Sequence, residues 1–312
     1  MFAYLVIVVA VLLAAYWWRQ GLWKDPARER PVFVVLVVML GLLLYVDRDV
    51  DQFRGPSGPL LLAIATDVSL SMGTMPEPGS GADAGTRLER AQAALIPVLA
   101  SLATTARPAM VSVSAFTSKA ETILAWDDDL SLVREIIEYV LTTGLLTEAG
   151  SDLGVALNGV VPLFESLPEA LRGADYAKFL VLVSDGEQTV DRSNSDAALA
   201  KLRELGVRII ALHVGMDEVP EGLPVYDDNG AYIGFEEVQG KIFSLPDTEV
   251  MRAIAGNDPQ EGIFVKAEES GAAGEINEFV GLQGNGGPGG LLRFGVIVVL
   301  WGLLILILHR WA

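Results

Sequence analysis

The chain contains no cysteine and only two histidines among its 312 residues. Without cysteine it can form no disulfide, no thiolate metal site and no cysteine nucleophile. A serine-based triad needs a histidine close to its nucleophile, but His213 lies in an apolar strand pattern typical of a core residue and His309 lies at the end of an apolar segment. The sequence also has no Gly-x-Ser-x-Gly elbow and no Gly-Lys-Ser/Thr phosphate loop. These absences argue against the common hydrolases and nucleotide-binding enzymes.

Basic residues are scarce relative to acidic ones. Asp and Glu total 40 against 22 Lys and Arg, which gives a net charge of −18. This charge argues against a nucleic-acid partner and against docking on anionic lipid headgroups, because both are negatively charged. Yet 51% of the residues are hydrophobic. A strongly negative net charge and a high hydrophobic content fit one chain best if the apolar residues are concentrated in separate segments.

Three apolar segments lie near the chain ends, at 1–18, 32–46 and 291–308. We predict a transmembrane helix for each, since a span needs roughly 17–25 mostly apolar residues and aromatic residues stand at the segment ends. Buried core helices, and a signal peptide for the first segment, are the alternatives. The connector 19–31 is basic, so the positive-inside rule places it in the cytoplasm. The chain is therefore predicted to be a multi-pass inner (plasma) membrane protein with its large domain in the periplasm.

Apolar strands alternate with helices between the second and third segments. A polar linker at 47–59 and a Gly-rich linker at 269–290 frame a predicted domain of residues 60–268. The alternation indicates a doubly wound α/β fold with a mostly parallel sheet covered on both faces. A hairpin pattern over 109–126 adds an antiparallel edge strand, and an Asn-Gly pair predicts a second hairpin over 225–235. The predicted strands are 60–66, 109–116, 121–126, 178–186, 207–215 and 262–267, and the predicted helices are 87–103, 130–143, 151–167, 195–206 and 248–256.

Carboxylates and hydroxyls follow two of the predicted strands. Asp67, Ser69 and Ser71 follow the first strand, Asp185 ends the fourth, and Ser151 opens a helix between them. Ligands of such folds bind at the carboxyl ends of the strands. Oxygen donors without imidazole or thiolate suit Mg²⁺, with Mn²⁺ or Ca²⁺ as alternatives. The competing interpretation is that these side chains only cap turns and helices.

This combination resembles the von Willebrand factor type A domain and its metal-ion-dependent adhesion site. The family pattern is Asp-x-Ser-x-Ser after the first strand, a threonine in a later loop and an aspartate after the fourth strand. The resemblance implies a Rossmann-like fold and a metal held by five residues, with the hydroxyls as direct ligands and the aspartates often acting through water. These residues are Asp67, Ser69, Ser71, Ser151 and Asp185.

The chain departs from the family pattern at two positions. Leu70 stands where glycine is usual, and Ser151 stands where threonine is usual. Serine keeps the oxygen, so we expect metal binding to survive. An ion held by few protein oxygens keeps an open position, and the expected partner is a protein ligand whose Asp or Glu fills it.

A narrower resemblance is to the bacterial aerotolerance-type (Bat) membrane proteins. It rests on two apolar segments before the domain and one after it, and on the stretches RLERAQAAL, VSDGEQT and VYDDNGAYIGF. Bat proteins are encoded alongside MoxR-type AAA+ ATPases and act in assembling or activating envelope complexes. The resemblance therefore implies a MoxR-type ATPase and other type A domain membrane proteins as partners.

We therefore expect a membrane-anchored, metal-dependent binding protein and not an enzyme, with a role in the assembly, activation or stress tolerance of an envelope complex. A metal-free structural scaffold subunit is the first alternative. A metal-assisted hydrolase or transferase with Asp67 as nucleophile is less well supported, because the sequence places no phosphate-gripping lysine near it. Titration with Mg²⁺ separates the first two hypotheses.

Overall fold

The fold is described from a computed structural model. It describes residues 59–282, apart from 80–84, 106, 172–175, 188–194, 239 and 241. The predicted membrane segments (1–18, 32–46 and 291–308) and the basic loop (19–31) lie outside these residues. So does nearly all of the first linker (47–59). Within the part of the chain that the structure describes, no helix is both long and apolar enough to cross a membrane.

A six-stranded sheet forms the centre of the domain. The strands of the described residues are β1 (Leu60–Asp67), β2 (Met75–Pro76), β3 (Ala109–Phe116), β4 (Ala120–Asp127), β5 (Ala177–Ser184), β6 (Val207–His213), β7 (Glu221–Tyr226), β8 (Tyr232–Glu236), β9 (Phe243–Ser244) and β10 (Gly262–Lys266). The central sheet has the order β10–β6–β5–β1–β3–β4. Neighbouring strands pair in parallel except β3 and β4, which are antiparallel. The predicted mostly parallel sheet with an antiparallel edge strand is confirmed.

Helices cover both faces of this sheet. They are α1 (Arg87–Thr104), α2 (Leu130–Glu135), α3 (Leu153–Glu165), α4 (Ser195–Glu204), α5 (Thr248–Ala255) and α6 (Ala272–Val280). A π-helical turn continues α2, and a 3-10 turn, Leu70–Gly73, follows β1. A capping box between Thr86 and Glu89 starts α1, which runs through Pro97 to its end. Pro97 therefore does not interrupt the helix.

β1 shows why the sheet needs cover on both faces. All eight of its residues are buried. Leu62 and Ile64 belong to one hydrophobic cluster, with residues of α1, α2 and α6, whereas Leu61 and Ala63 belong to a second, with residues of α3, α4 and α5. Successive side chains of a strand point to opposite faces. A strand covered on both faces is therefore apolar throughout, which is the pattern that indicated a parallel sheet.

A small antiparallel sheet combines β2, which precedes α1, with three strands that lie in the chain between β6 and α5. Its central strand, β7, pairs with β2, β8 and β9. The predicted hairpin is confirmed as β7 and β8, whose turn is closed by Asp227: its Oδ1 accepts hydrogen bonds from the backbone N–H groups of Asn229 and Ala231. Gly230 in this turn has a φ of 78°, which favours glycine.

α6 lies within the segment that we assigned to the Gly-rich linker 269–290. Its Ile276, Phe279 and Val280 are buried in the first cluster, and the ring of Phe279 lies 5.8 Å from that of Phe179. The linker prediction is therefore wrong for this helix, and the packed domain continues beyond residue 268. A helix of nine residues gives a weak sequence signal, because tertiary contacts stabilise it more than local propensity does.

Candidate metal centre

The candidate site lies at one edge of the central sheet. Asp67 is the last residue of β1, and Asp185 directly follows the end of β5. The two strands are parallel neighbours, with Thr66 opposite Val183. The carboxyl ends of parallel strands lie at the same edge, so this pairing brings the two aspartates together. β1 also has β3 on its other side, which makes this edge the switch point in strand order where α/β folds bind ligands.

Four of the five predicted side chains are connected around Asp67. Its Oδ2 accepts a hydrogen bond from Ser151 Oγ at 2.7 Å, and its Oδ1 accepts one from the backbone N–H of Ser69 at 3.0 Å. Ser69 Oγ lies 3.1 Å from Ser71 Oγ. Ser184, which the sequence did not point to, donates from Oγ to Asp67 Oδ2 at 2.9 Å. Three loops therefore deliver one carboxylate and several hydroxyls to one place.

The capping interpretation does not account for the serines. Ser69 occupies the N-cap position of the 3-10 turn, yet its side chain makes no capping hydrogen bond. At the start of α3 the N-cap is Asp152, whose side chain accepts from Val155 N–H, so the cap is not Ser151. The hydroxyls of Ser69 and Ser151 are thus directed at the cluster.

The fifth residue, Asp185, is held by an arginine that sequence reasoning missed. Arg87 Nη1 donates to Asp185 Oδ2 at 2.6 Å, and Arg87 Nε donates to Glu221 Oε2 at 2.6 Å. The side chains of all three are fully buried. Arg87 begins α1, a position where a charged residue normally faces solvent, so only the fold reveals its role.

Burial and charge set the electrostatics of the site. Asp67 and Asp185 are both fully buried. Burial, and then repulsion from the Asp185 carboxylate, raises the pKa of Asp67 to about 6. A cation between these groups would favour the ionised form and reverse this shift. The chain's own cation at Asp185 is the Arg87 guanidinium, whereas Asp67 has only hydrogen-bond donors.

The donor set fits a hard divalent cation. All five predicted side chains offer oxygen atoms, and nitrogen and sulfur ligands are absent from the cluster. Among the described residues no group of three or more His, Cys, Asp or Glu could hold a metal ion, so a metal here depends on hydroxyls. Thr117 offers another: its Oγ1 is buried and has no hydrogen-bond partner within the described part of the chain. Carboxylate and hydroxyl oxygens of this kind suit Mg²⁺ or Mn²⁺.

The hydroxyls open into a cavity of about 420 Å³. Ser69, Ser71, Ser151 and Thr117 line it, while the two aspartates are buried beneath the surface. Glu187 also lines the cavity and accepts a hydrogen bond from Ser244 Oγ at 2.6 Å. Its position in the sequence, beside Asp185, gives no indication of this contact. The cavity gives a ligand access to the hydroxyl side of the cluster.

A family model confirms the type A domain that the sequence resembled. The model of the von Willebrand factor type A domain matches residues 62–278. The chain belongs to this family. Type A domains generally mediate protein–protein interactions. The match extends through most of α6, in agreement with the packed helix beyond residue 268.

Two solved structures share the fold of this type A domain. BatB from Bacteroides thetaiotaomicron, described as a conserved hypothetical protein, is 22% identical with a TM-score of 0.53, over 70% of this chain and 95% of that chain. An aerotolerance-related membrane protein from Bacteroides fragilis NCTC 9343, with multiple mutations to serines, is 20% identical with a TM-score of 0.53, over 72% of this chain and 100% of that chain. At these identities the likeness is one of fold.

One curated relative matches a shorter segment. ATP-dependent DNA helicase II subunit 2 of Coccidioides immitis (strain RS) is 24% identical over 126 residues. The match covers 40% of this chain but only 16% of the helicase subunit. The likeness therefore concerns a small part of a much longer protein.

Proposed function

We propose that this chain is a membrane-anchored binding module that recognises an acidic side chain of a partner protein through a divalent cation. Asp67, Ser69, Ser71, Ser151 and Asp185 would hold the ion, Mg²⁺ in the first place and Mn²⁺ or Ca²⁺ as substitutes. When bound, the ion supplies positive charge and a coordination position for the partner's Asp or Glu. The observation that carries the proposal is the cluster of three serine hydroxyls that line an accessible cavity against the buried Asp67.

Two residues of the chain have distinct roles in this proposal. Asp67 supplies negative charge and orients Ser69 and Ser151 by accepting their hydrogen bonds. Arg87 fixes the direction of the Asp185 carboxylate. No lysine, arginine or histidine is among the described residues that line the cavity, so the proposal assigns binding and no catalytic step to the site.

Titration calorimetry with Mg²⁺, Mn²⁺ and Ca²⁺ tests the metal. Wild-type protein is expected to bind one ion, and Asp67→Asn is expected to weaken binding at least tenfold, because it removes the charge that all the hydroxyls surround. Asp128→Asn is the matched control, since Asp128 is exposed and lies outside the cavity lining. Absence of binding by the wild type, or equal binding by Asp67→Asn, would exclude the proposed metal site.

A metal-free scaffold is the second candidate, and the buried Arg87–Asp185 pair favours it. The guanidinium already neutralises one of the two aspartates, so the site could be a static element of a membrane complex. Crosslinking in native membranes with and without EDTA, followed by mass spectrometry, separates the candidates. A partner that disappears with EDTA supports the metal bridge, and a partner that persists supports the scaffold.

The cellular setting of the proposal rests on the apolar segments and the Bat-like fold. We place the chain in the inner membrane with the type A domain in the periplasm, where it acts with other type A domain membrane proteins and a MoxR-type ATPase on an envelope complex. Reporter fusions after Gly58 test the topology: alkaline phosphatase is expected to be active and a cytoplasmic fluorescent reporter dark. The reverse result would place the domain in the cytoplasm, in direct reach of the ATPase.

A further inference from the structure

The cavity beside the hydroxyl cluster has an apolar wall that the proposed metal bridge does not use. Leu70, Leu146, Leu223, Ile242 and Phe243 line it together with the serines. Three of these are exposed although they are large and apolar: Leu70 is 54% exposed, Ile242 49% and Phe243 43%. Exposed apolar residues that share one cavity, with polar residues beside them, indicate an interaction site.

Three parts of the fold build this wall, one of them the loop before α3 that carries Leu146. Leu70 begins the 3-10 turn after β1 and stands between two serines of the cluster, Ser69 and Ser71. Leu223 comes from β7 and Phe243 from β9 of the small sheet. The turn after β1, the loop before α3 and the small sheet therefore line the cavity together.

Buried polar contacts hold the small sheet in place against α1. Arg87 donates to Glu221 on β7 and to both Oγ and the backbone carbonyl of Ser244 on β9, at 2.6, 2.8 and 3.0 Å. Arg90 also donates to Glu221. A wall fixed in this way is preformed, so a ligand does not need to order it, which favours binding.

The charges around the cavity restrict what can enter it. Glu148, Glu187 and Glu236 line it, and none of its described lining residues is basic. Glu148 is already paired with Lys119, which lies outside the lining, so the acidic character of the cavity rests on Glu187 and Glu236. A polyanion such as a nucleic acid or an anionic lipid surface is repelled here. A protein segment is compatible if it carries a single carboxylate for the ion, an apolar neighbour and a basic residue that faces these glutamates.

We infer that the partner's recognition segment carries a large apolar side chain next to its Asp or Glu, and that this side chain fills the cavity lined by Leu70 and the small sheet. This inference rests on the proposed metal bridge and adds the partner's second anchor. The volume of about 420 Å³ lies within the range of roughly 300–1,000 Å³ typical of ligand pockets. Large apolar side chains in such pockets are the usual anchors of protein interfaces.

Labelled peptides with a central Asp followed by Lys test the inference on the full-length chain in nanodiscs, by fluorescence polarisation in excess Mg²⁺. In one set of peptides the Asp-Lys pair is flanked by glycine on both sides, and in the other set by phenylalanine or leucine. Each peptide is also made with Asn in place of Asp. Apolar-flanked Asp peptides are expected to bind roughly tenfold more tightly than glycine-flanked ones, about 1.4 kcal/mol, because the apolar side chain leaves water when it enters the cavity. Leu70→Ala is expected to remove most of this difference while the preference for Asp over Asn stays. Leu132→Ala, an equal truncation at an exposed leucine outside the cavity, is expected to change neither.

The outcomes separate the inference from the proposal beneath it. Equal binding of glycine-flanked and apolar-flanked peptides, or an unchanged apolar preference in Leu70→Ala, overturns the apolar anchor while the metal bridge stands. Binding that is unaffected by EDTA and by the Asp-to-Asn change overturns the metal bridge. Absence of binding by every peptide overturns the metal bridge and the apolar anchor. Self-association that Leu70→Ala abolishes assigns the cavity to a second copy of the chain and also overturns the inference.

Discussion

Single hydroxyl groups at the carboxyl end of the sheet supply most of the oxygen donors of the proposed metal site. Thr66 and Thr117 are a useful pair: both are buried, and the Oγ1 of each has no partner among the described residues. Only Thr117 lines the cavity with the serines. A buried hydroxyl without a partner is costly, so an ion or its bound water is a physical reason for keeping one at position 117.

Thr117→Val is therefore expected to weaken Mg²⁺ binding about threefold to tenfold, because valine keeps the shape and loses the oxygen. Thr66→Val is the control and is expected to leave the affinity unchanged. Calorimetric titration of both variants measures the difference. Equal affinities would show that Thr117 does not contribute to the site.

His213 gives the domain a titratable core residue. Its side chain is fully buried, stacks on Phe264 and bonds through Nε2 to Thr248 Oγ1 at 3.0 Å. The prediction of a core residue holds for its burial, although Nδ1 has no partner within the described residues. Burial lowers the pKa of His213 to about 4.

The contribution of His213 to the stability of the domain is expected to fall as the pH drops from about 6.5 to about 4. Asp67, whose raised pKa has the opposite effect in this window, is present in both proteins compared below, so the comparison isolates His213. In this window the unfolded chain binds a proton at His213 and the folded chain does not, so protonation favours unfolding. The contribution is on the order of 3 kcal/mol, fully present above the unfolded pKa and lost at low pH. His213→Gln keeps a group for Thr248 and does not titrate, so denaturation curves of the two proteins should converge or cross as the pH falls. Parallel pH profiles would contradict the assignment.

The contact between α1 and the small sheet shows how elements combine into the site. Arg87 at the start of α1 bonds Asp185 after β5 and Glu221 on β7. A buried charge is tolerated when it is paired and hydrogen-bonded. One guanidinium thus positions a predicted metal residue and the wall of the cavity together.

Arg87→Met is expected to destabilise the domain by about 3–5 kcal/mol, because it leaves two buried carboxylates without their cation. Chemical denaturation measures the change. The comparison is Arg134→Met, which removes an exposed pair with Glu138 within the region around α2 and is expected to leave stability unchanged. If Arg87→Met does not fold, Glu221→Gln is the milder test, because it removes one charge of the same network and keeps the arginine. Wild-type stability in either variant would show that these buried ion pairs do not stabilise the domain.

At the scale of the whole molecule, the compact unit runs from residue 56 to 283. α6 closes the hydrophobic cluster on one face of the sheet, with Ile276 and Val280 fully buried. Each such side chain contributes about 1.5–3 kcal/mol when it is buried, and a domain has a total stability of only about 5–15 kcal/mol. The end of the domain therefore matters for any truncation.

A chain segment of residues 56–283 is expected to unfold cooperatively, whereas 56–268 is expected to lose on the order of 5 kcal/mol or to remain partly unfolded. Thermal unfolding followed by circular dichroism measures the difference. Ile276→Ala in the longer segment is a control that keeps the chain length, with an expected loss of about 2–5 kcal/mol. Equal melting of the two segments would show that α6 is dispensable.

Much of this protein could be predicted from local sequence. The apolar runs of β1 and β5 indicated buried parallel strands, because a strand covered on both faces must be apolar throughout. Asp67, Ser69 and Ser71 were predicted as ligands because they directly follow such a strand, at the edge of the sheet where these folds bind ligands. Asp185 was found in the same way at the end of the fourth strand, and Ser151 at the start of a helix. The family pattern grouped them with the other three, and Ser151 donates a hydrogen bond to Asp67 in the structure.

Only the tertiary structure decided which distant groups meet. The hydrogen bonds from Arg87 to Asp185 and Glu221, and the apolar wall around Leu70, join residues far apart in the chain, and nothing in their local sequence specifies those partners. α6 likewise gains its stability from the core it covers and not from its own nine residues. Local patterns determine strands, helices and donor atoms, whereas burial, which depends on the whole fold, determines how charges are paired and which surfaces stay open.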